Sequence, residues 1–197
     1  TVIGVDILGE LLAAACARTR GMSGVRFIEQ DAALLSLPDH SVDGVFSRFG
    51  VMAIDRPEIA FANFRRMTRR GGRLAFVCWR ALEENALDWL PVQAAGLTHL
   101  VDQTPFRFEE ADYVRAVLTG AGYRDIEIRA QDGGVSCGDL DATVGLLMAV
   151  GALGRIVRDA PELVAASREK VRTALPAPRS DGNVYLNAAT WVVSAVA

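Results

Sequence analysis

The chain has 197 residues, of which 51% are hydrophobic, and a formal net charge of −3 at pH 7. A chain of this length can bury a core of its own, so residues 1–197 are predicted to form a single domain. The small negative charge excludes bulk attraction to nucleic acid or anionic membranes, and the apolar stretches are too short to span a membrane. We therefore expect a cytoplasmic protein. Its three cysteines fit no zinc-binding spacing, and no metal site is predicted.

The first part of the chain alternates strand and helix patterns. In chain order the apolar spacing predicts a strand at 2–6, a helix at 10–21, strands at 25–31 and 41–50, a helix at 55–72 and a strand at 73–79. Gly71 and Gly72 are expected to end the second helix. This alternation favours an α/β fold, a parallel sheet covered by helices on both faces, with ligand sites at the carboxyl ends of the strands.

The alternation changes after Trp79. A helix at 109–123 leads into a strand at 124–130, and a strand at 190–196 closes the chain. The irregular sections 81–108 and 131–189 contain further helix patterns, at 143–157 and 161–175 in the second of them. We interpret both sections as helical insertions that cover the carboxyl ends of the strands.

Acids stand at the ends of two consecutive predicted strands. Asp6 ends the first strand, and its two carboxylate oxygens can accept hydrogen bonds from both hydroxyls of a ribose. Asp31 ends the next strand, where it can accept a hydrogen bond from an adenine amino group, and Ile7 can pack on the adenine face. A single acid at such a place is more often a cap or turn former, but the pair favours a nucleotide site.

A resemblance to a known family rests on three stretches: VIGVDIL, RFIEQDAALLSLPDHSVDGVFSRFGVM and DRPEIAFANFRRMTRRGGRLAFVCWR. These resemble the class I S-adenosylmethionine-dependent methyltransferases, in particular the small-molecule branch that includes ubiquinone and menaquinone biosynthesis enzymes. The resemblance is specific over residues 1–80 and looser over 104–130. It implies a Rossmann-like doubly wound sheet, mostly parallel, whose antiparallel last strand lies beside the strand at 125–130.

The same resemblance implies S-adenosyl-L-methionine as the cofactor. The residues that it assigns to cofactor binding are Asp6, Ile7, Asp31, Ala32, Ser47, Arg48 and Phe49. It also implies that a strand and a glycine-rich loop should precede Thr1 and hold the amino-acid end of the cofactor. We therefore expect roughly 40–70 residues to be missing at the amino terminus, from the size of one βα unit with a leading helix, and expect weak cofactor binding by the chain as it stands.

The implied activity is methyl transfer to a small, apolar or aromatic acceptor. A sulfonium methyl group is already electrophilic, so side chains mainly orient the acceptor and exclude water. His99 is the candidate base if the acceptor must lose a proton, although an ordinary polar loop residue would look the same. The candidate acceptor pocket consists of large side chains after the strand at 73–79, which an ordinary helical cap would explain equally well: Trp79, Arg80, Trp89, Phe106, Phe108 and Met148.

Other functions stay open. A non-catalytic or degenerate Rossmann-like partner domain would keep the same patterns without binding the cofactor. A nicotinamide-dependent oxidoreductase is disfavoured, because short-chain dehydrogenases need a Tyr-x-x-x-Lys pair and the only lysine, Lys170, has Ala166 four positions before it. The arginine-rich run at 65–73 lies at a predicted helix end and indicates a solvated face rather than a nucleic-acid site. The sequence also leaves a homodimer open.

Overall fold

The computed structural model describes residues 1–197. Its strands are β1 (Val2–Asp6), β2 (Val25–Glu29), β3 (Val42–Arg48), β4 (Thr68–Trp79), β5 (Arg124–Ser136) and β6 (Tyr185–Val196). Its helices are α1 (Gly9–Arg18), α2 (Pro57–Met67), α3 (Ala86–Ala95), α4 (Ala111–Gly120), α5 (Leu140–Ala149), α6 (Gly151–Asp159) and α7 (Val164–Ala174). Through β4 the order of strands and helices is the one predicted from the sequence.

The strands fall into two hydrogen-bonded sheets. Strands β1 and β2 form a parallel pair, and the other four strands form a sheet in the order β3-β4-β6-β5. Strands β3 and β4 are parallel, whereas β6 runs antiparallel to both of its neighbours. The predicted Rossmann-like α/β class is confirmed, including the antiparallel last strand beside β5. The prediction of one continuous sheet is wrong, because β1 and β3 each have a strand partner on one edge only.

The join between α2 and β4 differs from the prediction. The helix ends at Met67, and the chain passes directly into β4 at Thr68, whose hydroxyl donates a hydrogen bond of 2.7 Å to the Phe64 carbonyl oxygen. Gly72 lies inside the strand, where a Cβ atom would come within 2.6 Å of the Asp43 carbonyl oxygen of β3. Glycine is therefore needed here for close packing of two strands, and it does not end the helix.

One hydrophobic core lies between the four-stranded sheet and helices α2 and α4. Alternate residues of β4, Leu74, Phe76 and Cys78, are at most 1% exposed. The ring of Phe61 on α2 lies 5.4 Å from that of Phe76 and 6.1 Å from that of Phe108, measured between centroids. This core fixes the direction of β4 and so the place where Trp79 leaves the sheet.

A second hydrophobic core is built from α3, α5, α6 and α7, which come from both predicted insertions. The single helix predicted at 143–157 is two helices, α5 and α6, bent by 59° relative to each other. The bend lies at Gly151, which has a φ of +73°, a conformation that glycine adopts without strain. No single helix is long and apolar enough to cross a membrane, and α5 and α6 meet that standard of length and composition only as a bent pair.

Candidate active site

The two predicted nucleotide-binding acids lie at the carboxyl ends of the two strands of the small sheet. Strands β1 and β2 run parallel with Asp6 in register with Glu29, and Asp31 follows two residues later. One oxygen of each acid closes a turn: Oδ1 of Asp6 accepts from the Leu8 N–H at 2.9 Å, and Oδ1 of Asp31 accepts from the Ala33 N–H at 2.8 Å. The second oxygen of each has no hydrogen-bond partner in the protein. Both acids are therefore turn formers, and each has one oxygen without a partner in the protein.

The surroundings of these acids include a third acid, Glu29, which the sequence interpretation did not consider. Ile7 is 64% exposed beside Asp6, and Ala32 is half-buried beside Asp31. Oε2 of Glu29 lies close to Gly9, the first residue of α1. A Cβ atom added to Gly9 would be only 2.9 Å from this oxygen. The signal for Glu29 was the additional acid in the stretch FIEQD, which was taken only as strand sequence.

The end of β3 carries the next group of predicted cofactor residues. The hydroxyl of Ser47 accepts a hydrogen bond of 3.2 Å from the Val51 N–H, and the exposed Arg48 makes no ion pair. Phe49 has a φ of +60°, a region that non-glycine residues rarely occupy. It is held there by a 3.0 Å hydrogen bond from its N–H to the Val77 carbonyl and by stacking of its ring on Trp79, with centroids 4.3 Å apart.

A cavity of about 570 Å³ has Trp79 in its lining. This volume lies within the range of small-molecule sites. Its walls come from the end of β4, from helices α3, α5 and α6 and from residues 100–106. The apolar lining includes Leu87, Phe106, Leu147 and Ile156. The cavity thus lies between the sheet and the helical insertions, where such sites are expected in α/β folds.

The charged residues of the cavity differ in exposure. Arg155 and Asp102 form an ion pair whose side chains are 51% and 45% exposed, and Asp159 is also exposed. Asp88 on α3 is only 7% exposed, and its Oδ1 accepts a 2.8 Å hydrogen bond from the N–H of Ala152 at the start of α6. Burial raises the pKa of Asp88, while the Ala152 hydrogen bond and the Arg155 charge act in the opposite direction. Asp88 is thus the one buried ionisable group in the lining.

The structure brings together only some of the predicted acceptor-pocket residues. Trp79 and Phe106 line the cavity, whereas four others do not: Arg80, Trp89, Phe108 and Met148. Phe108 is fully buried in the first core, and Trp89 and Met148 pack in the second. Arg80 is paired with Glu84 and Asp132. Large size selected these residues in the sequence, but the helix faces and the sheet decide which side chains reach the cavity.

The predicted base and the buried acid occupy different places. His99 is exposed in a short 3-10 turn and does not line the cavity, although its neighbour Leu100 does. Its role as a base stays a prediction. Asp88 lies in the stretch NALDWLP, which was taken as a helical piece without chemistry. The available signal was an acid among apolar helical residues, which is unusual in a buried helix.

Comparisons with known proteins agree with this architecture. Residues 1–76 match a family model described as a methyltransferase domain. The chain is 25% identical over 156 residues to a demethylmenaquinone methyltransferase of Staphylococcus carnosus, an alignment that covers 68% of this chain and 62% of that protein. Among solved structures, the YcgJ protein of Bacillus subtilis has a TM-score of 0.60 at 18% identity, covering 98% of this chain and 81% of its own.

A further structural relative is phosphoethanolamine N-methyltransferase 2 of Haemonchus contortus in complex with S-adenosyl-L-methionine. It has a TM-score of 0.56 at 19% identity and covers 99% of this chain but 43% of its own. The fold is thus that of methyltransferases. The sequence matches point in the same direction, since residues 1–76 are similar to a methyltransferase domain and the chain is similar to the Staphylococcus methyltransferase. The chain spans 62% of the length of its Staphylococcus relative.

Proposed function

We propose that the protein transfers a methyl group from S-adenosyl-L-methionine to a small, apolar or aromatic acceptor. One observation carries this proposal: the stacked pair of Phe49 and Trp79. Phe49 follows β3, where the family resemblance assigns the methionine part of the cofactor, and Trp79 lines the apolar cavity. A methyl donor and an acceptor on the two sides of this pair would be neighbours, as transfer requires.

The residues at the strand ends suit the cofactor. The unpartnered oxygens of Asp6 and Asp31 are hydrogen-bond acceptors for ribose hydroxyls and an adenine amino group. The exposed Ile7 offers an apolar surface for the adenine ring. Ala32, Ser47 and Arg48 complete the assignment by resemblance. The cofactor supplies an electrophilic methyl group on a cationic sulfur, and aromatic faces such as that of Phe49 attract cations.

The cavity supports a small organic acceptor. Its volume of about 570 Å³ and its mainly apolar lining favour a ring system over a charged polymer. The Staphylococcus relative is named for a quinone-related methyl transfer, which points to the same class of compound. His99 lies outside this lining, so its proposed part is limited to accepting a proton through solvent.

Cofactor binding is the direct test. S-adenosylhomocysteine is titrated with detection by ligand-observed NMR, which registers weak as well as tight complexes. We expect Asp6→Ala and Asp31→Ala each to reduce affinity about 5- to 100-fold, because each removes a hydrogen bond to a charged group. Glu10→Ala, an exposed acid on α1, is the matched control and should leave affinity unchanged. Equal affinity in all four proteins would place the cofactor elsewhere. Absence of binding would favour the non-catalytic alternative.

A further inference from the structure

We propose that Asp88 is the ligand-selecting residue of the cavity, and that the cavity prefers flat apolar compounds carrying one hydrogen-bond donor, a hydroxyl or an amine. Naming such a compound the methyl acceptor rests on the proposed function. The binding preference itself depends only on the cavity and on Asp88.

The position of Asp88 carries the first step. It lines the cavity at 7% exposure, while Asp102, Arg155 and Asp159 are open to solvent. A carboxylate that is removed from water is costly unless hydrogen bonds replace its hydration. A buried acid in this mainly apolar lining is therefore stabilised by hydrogen-bond partners, either from the protein or from a ligand.

The protein satisfies only half of this need. Oδ1 of Asp88 accepts the Ala152 N–H, but Oδ2 has no hydrogen-bond partner in the protein. The start of α6 is shaped around this acid, since a Cβ on Gly151 would lie 2.6 Å from Oδ1. One oxygen is thus fixed at the helix start, which orients the carboxylate, and the other is left for a donor in the cavity.

The remaining lining defines the rest of the ligand. Trp79, Leu87, Phe106 and Ile156 offer apolar and aromatic surfaces, which favour a planar ring. An ionised carboxylate only accepts hydrogen bonds, so a hydroxyl or amine is attracted to Oδ2. An ether or carbonyl oxygen at the same place would bring two acceptors together. The cavity should therefore distinguish donor-bearing rings from their methylated or oxidised counterparts.

A pair of probes tests this distinction without any cofactor. 2-Naphthol and 2-methoxynaphthalene have the same ring, and only the first can donate a hydrogen bond. In fluorescence titrations at pH 7 we expect the wild-type chain to bind 2-naphthol at least about tenfold more tightly. Asp88→Asn keeps an oxygen for the Ala152 N–H but turns an NH₂ donor toward the ligand, so the preference should fall to about twofold or reverse. Asp112→Asn, an exposed acid on α4, should keep it.

Each outcome decides the proposal. Equal wild-type affinity for the two probes, no binding of either, or an unchanged preference in Asp88→Asn would overturn it. If that variant fails to fold, the Ala152 amide resonance of the wild-type chain provides the test, because 2-naphthol should shift it more than 2-methoxynaphthalene. A donor preference without S-adenosylhomocysteine binding would uphold this inference and count against methyl transfer, so the two proposals can fail separately.

Discussion

The two βα regions of the chain are built alike but packed differently. Helix α1, which joins β1 and β2, has no buried residue, whereas α2, which joins β3 and β4, buries five of its eleven. The predicted cofactor acids belong to the first region, and the cavity adjoins the second through Trp79. The same strand-and-helix pattern therefore occurs twice in this molecule, once with few buried residues and once with close packing.

The thin packing of the first region leaves apolar side chains in contact with water. Val2, Leu8 and Leu11 are each more than half exposed, and so is Phe46 on β3. β1 and β3 also each have one edge without a strand partner. Regions with few buried contacts open at lower free energy than the core. Global unfolding should accordingly report mainly on the four-stranded sheet and its helices.

The strongest test of this difference replaces one apolar residue in each region. Phe61→Ala removes the ring that packs against Phe76 and Phe108 and leaves a cavity in the core. It should lower the free energy of unfolding by about 3–5 kcal/mol. Leu11→Ala, at a position 55% exposed, should change it by less than about 0.5 kcal/mol. Denaturant titration measures both, and similar losses would show that α1 is as well packed as α2.

A smaller effect is expected from the close approach of β3 and β4. Gly72→Ala places a Cβ 2.6 Å from the Asp43 carbonyl oxygen and should destabilise the fold by about 1–3 kcal/mol through overpacking. Gly133→Ala on β5 is the matched control, since no atom lies within 4 Å of its Cβ position. Thermal unfolding compares the two. Equal melting temperatures would mean that the two strands can separate slightly without loss.

The smallest expected effect is a pH dependence from Asp88. Burial raises its pKa in the folded chain, so the folded state binds a proton more tightly than the unfolded state. This contribution to stability is complete below the ordinary pKa of an aspartate and is lost as the pH rises through the raised value. As the pH rises, the wild-type chain should therefore lose stability relative to Asp88→Asn. The difference between their free energies of unfolding should become constant above the raised pKa. A difference independent of pH would contradict the raised pKa.

The sequence predicted the fold best where pattern and packing agree. The apolar runs of β1 to β4 gave their order, and the family resemblance gave the antiparallel β6. The apolar pattern did not predict features that depend on backbone geometry. Gly72 allows the close approach of β3 and β4, and Gly151 lies at the bend that divides a continuous apolar stretch into two helices. β5 extends to Ser136 because its polar end pairs with β6 through backbone hydrogen bonds, which carry no apolar signal.

Only part of the candidate site could be predicted from the sequence. Asp6 and Asp31 stand at strand ends, a position that sequence alone reveals. The cavity was not predictable, because its walls combine β4, three helices and a loop that are distant in the chain. Asp88 gained its significance only from burial and from a partner on another helix.

The hydrogen bond between Asp88 and the Ala152 N–H spans 64 positions of sequence. A contact of that separation closes a long loop, and chain entropy disfavours its formation until other contacts have shortened the search. The β3-β4 pair and the α2 contacts are more local and can form sooner. During folding, the cavity would therefore be completed after the β3-β4 pair, which carries Trp79, has formed.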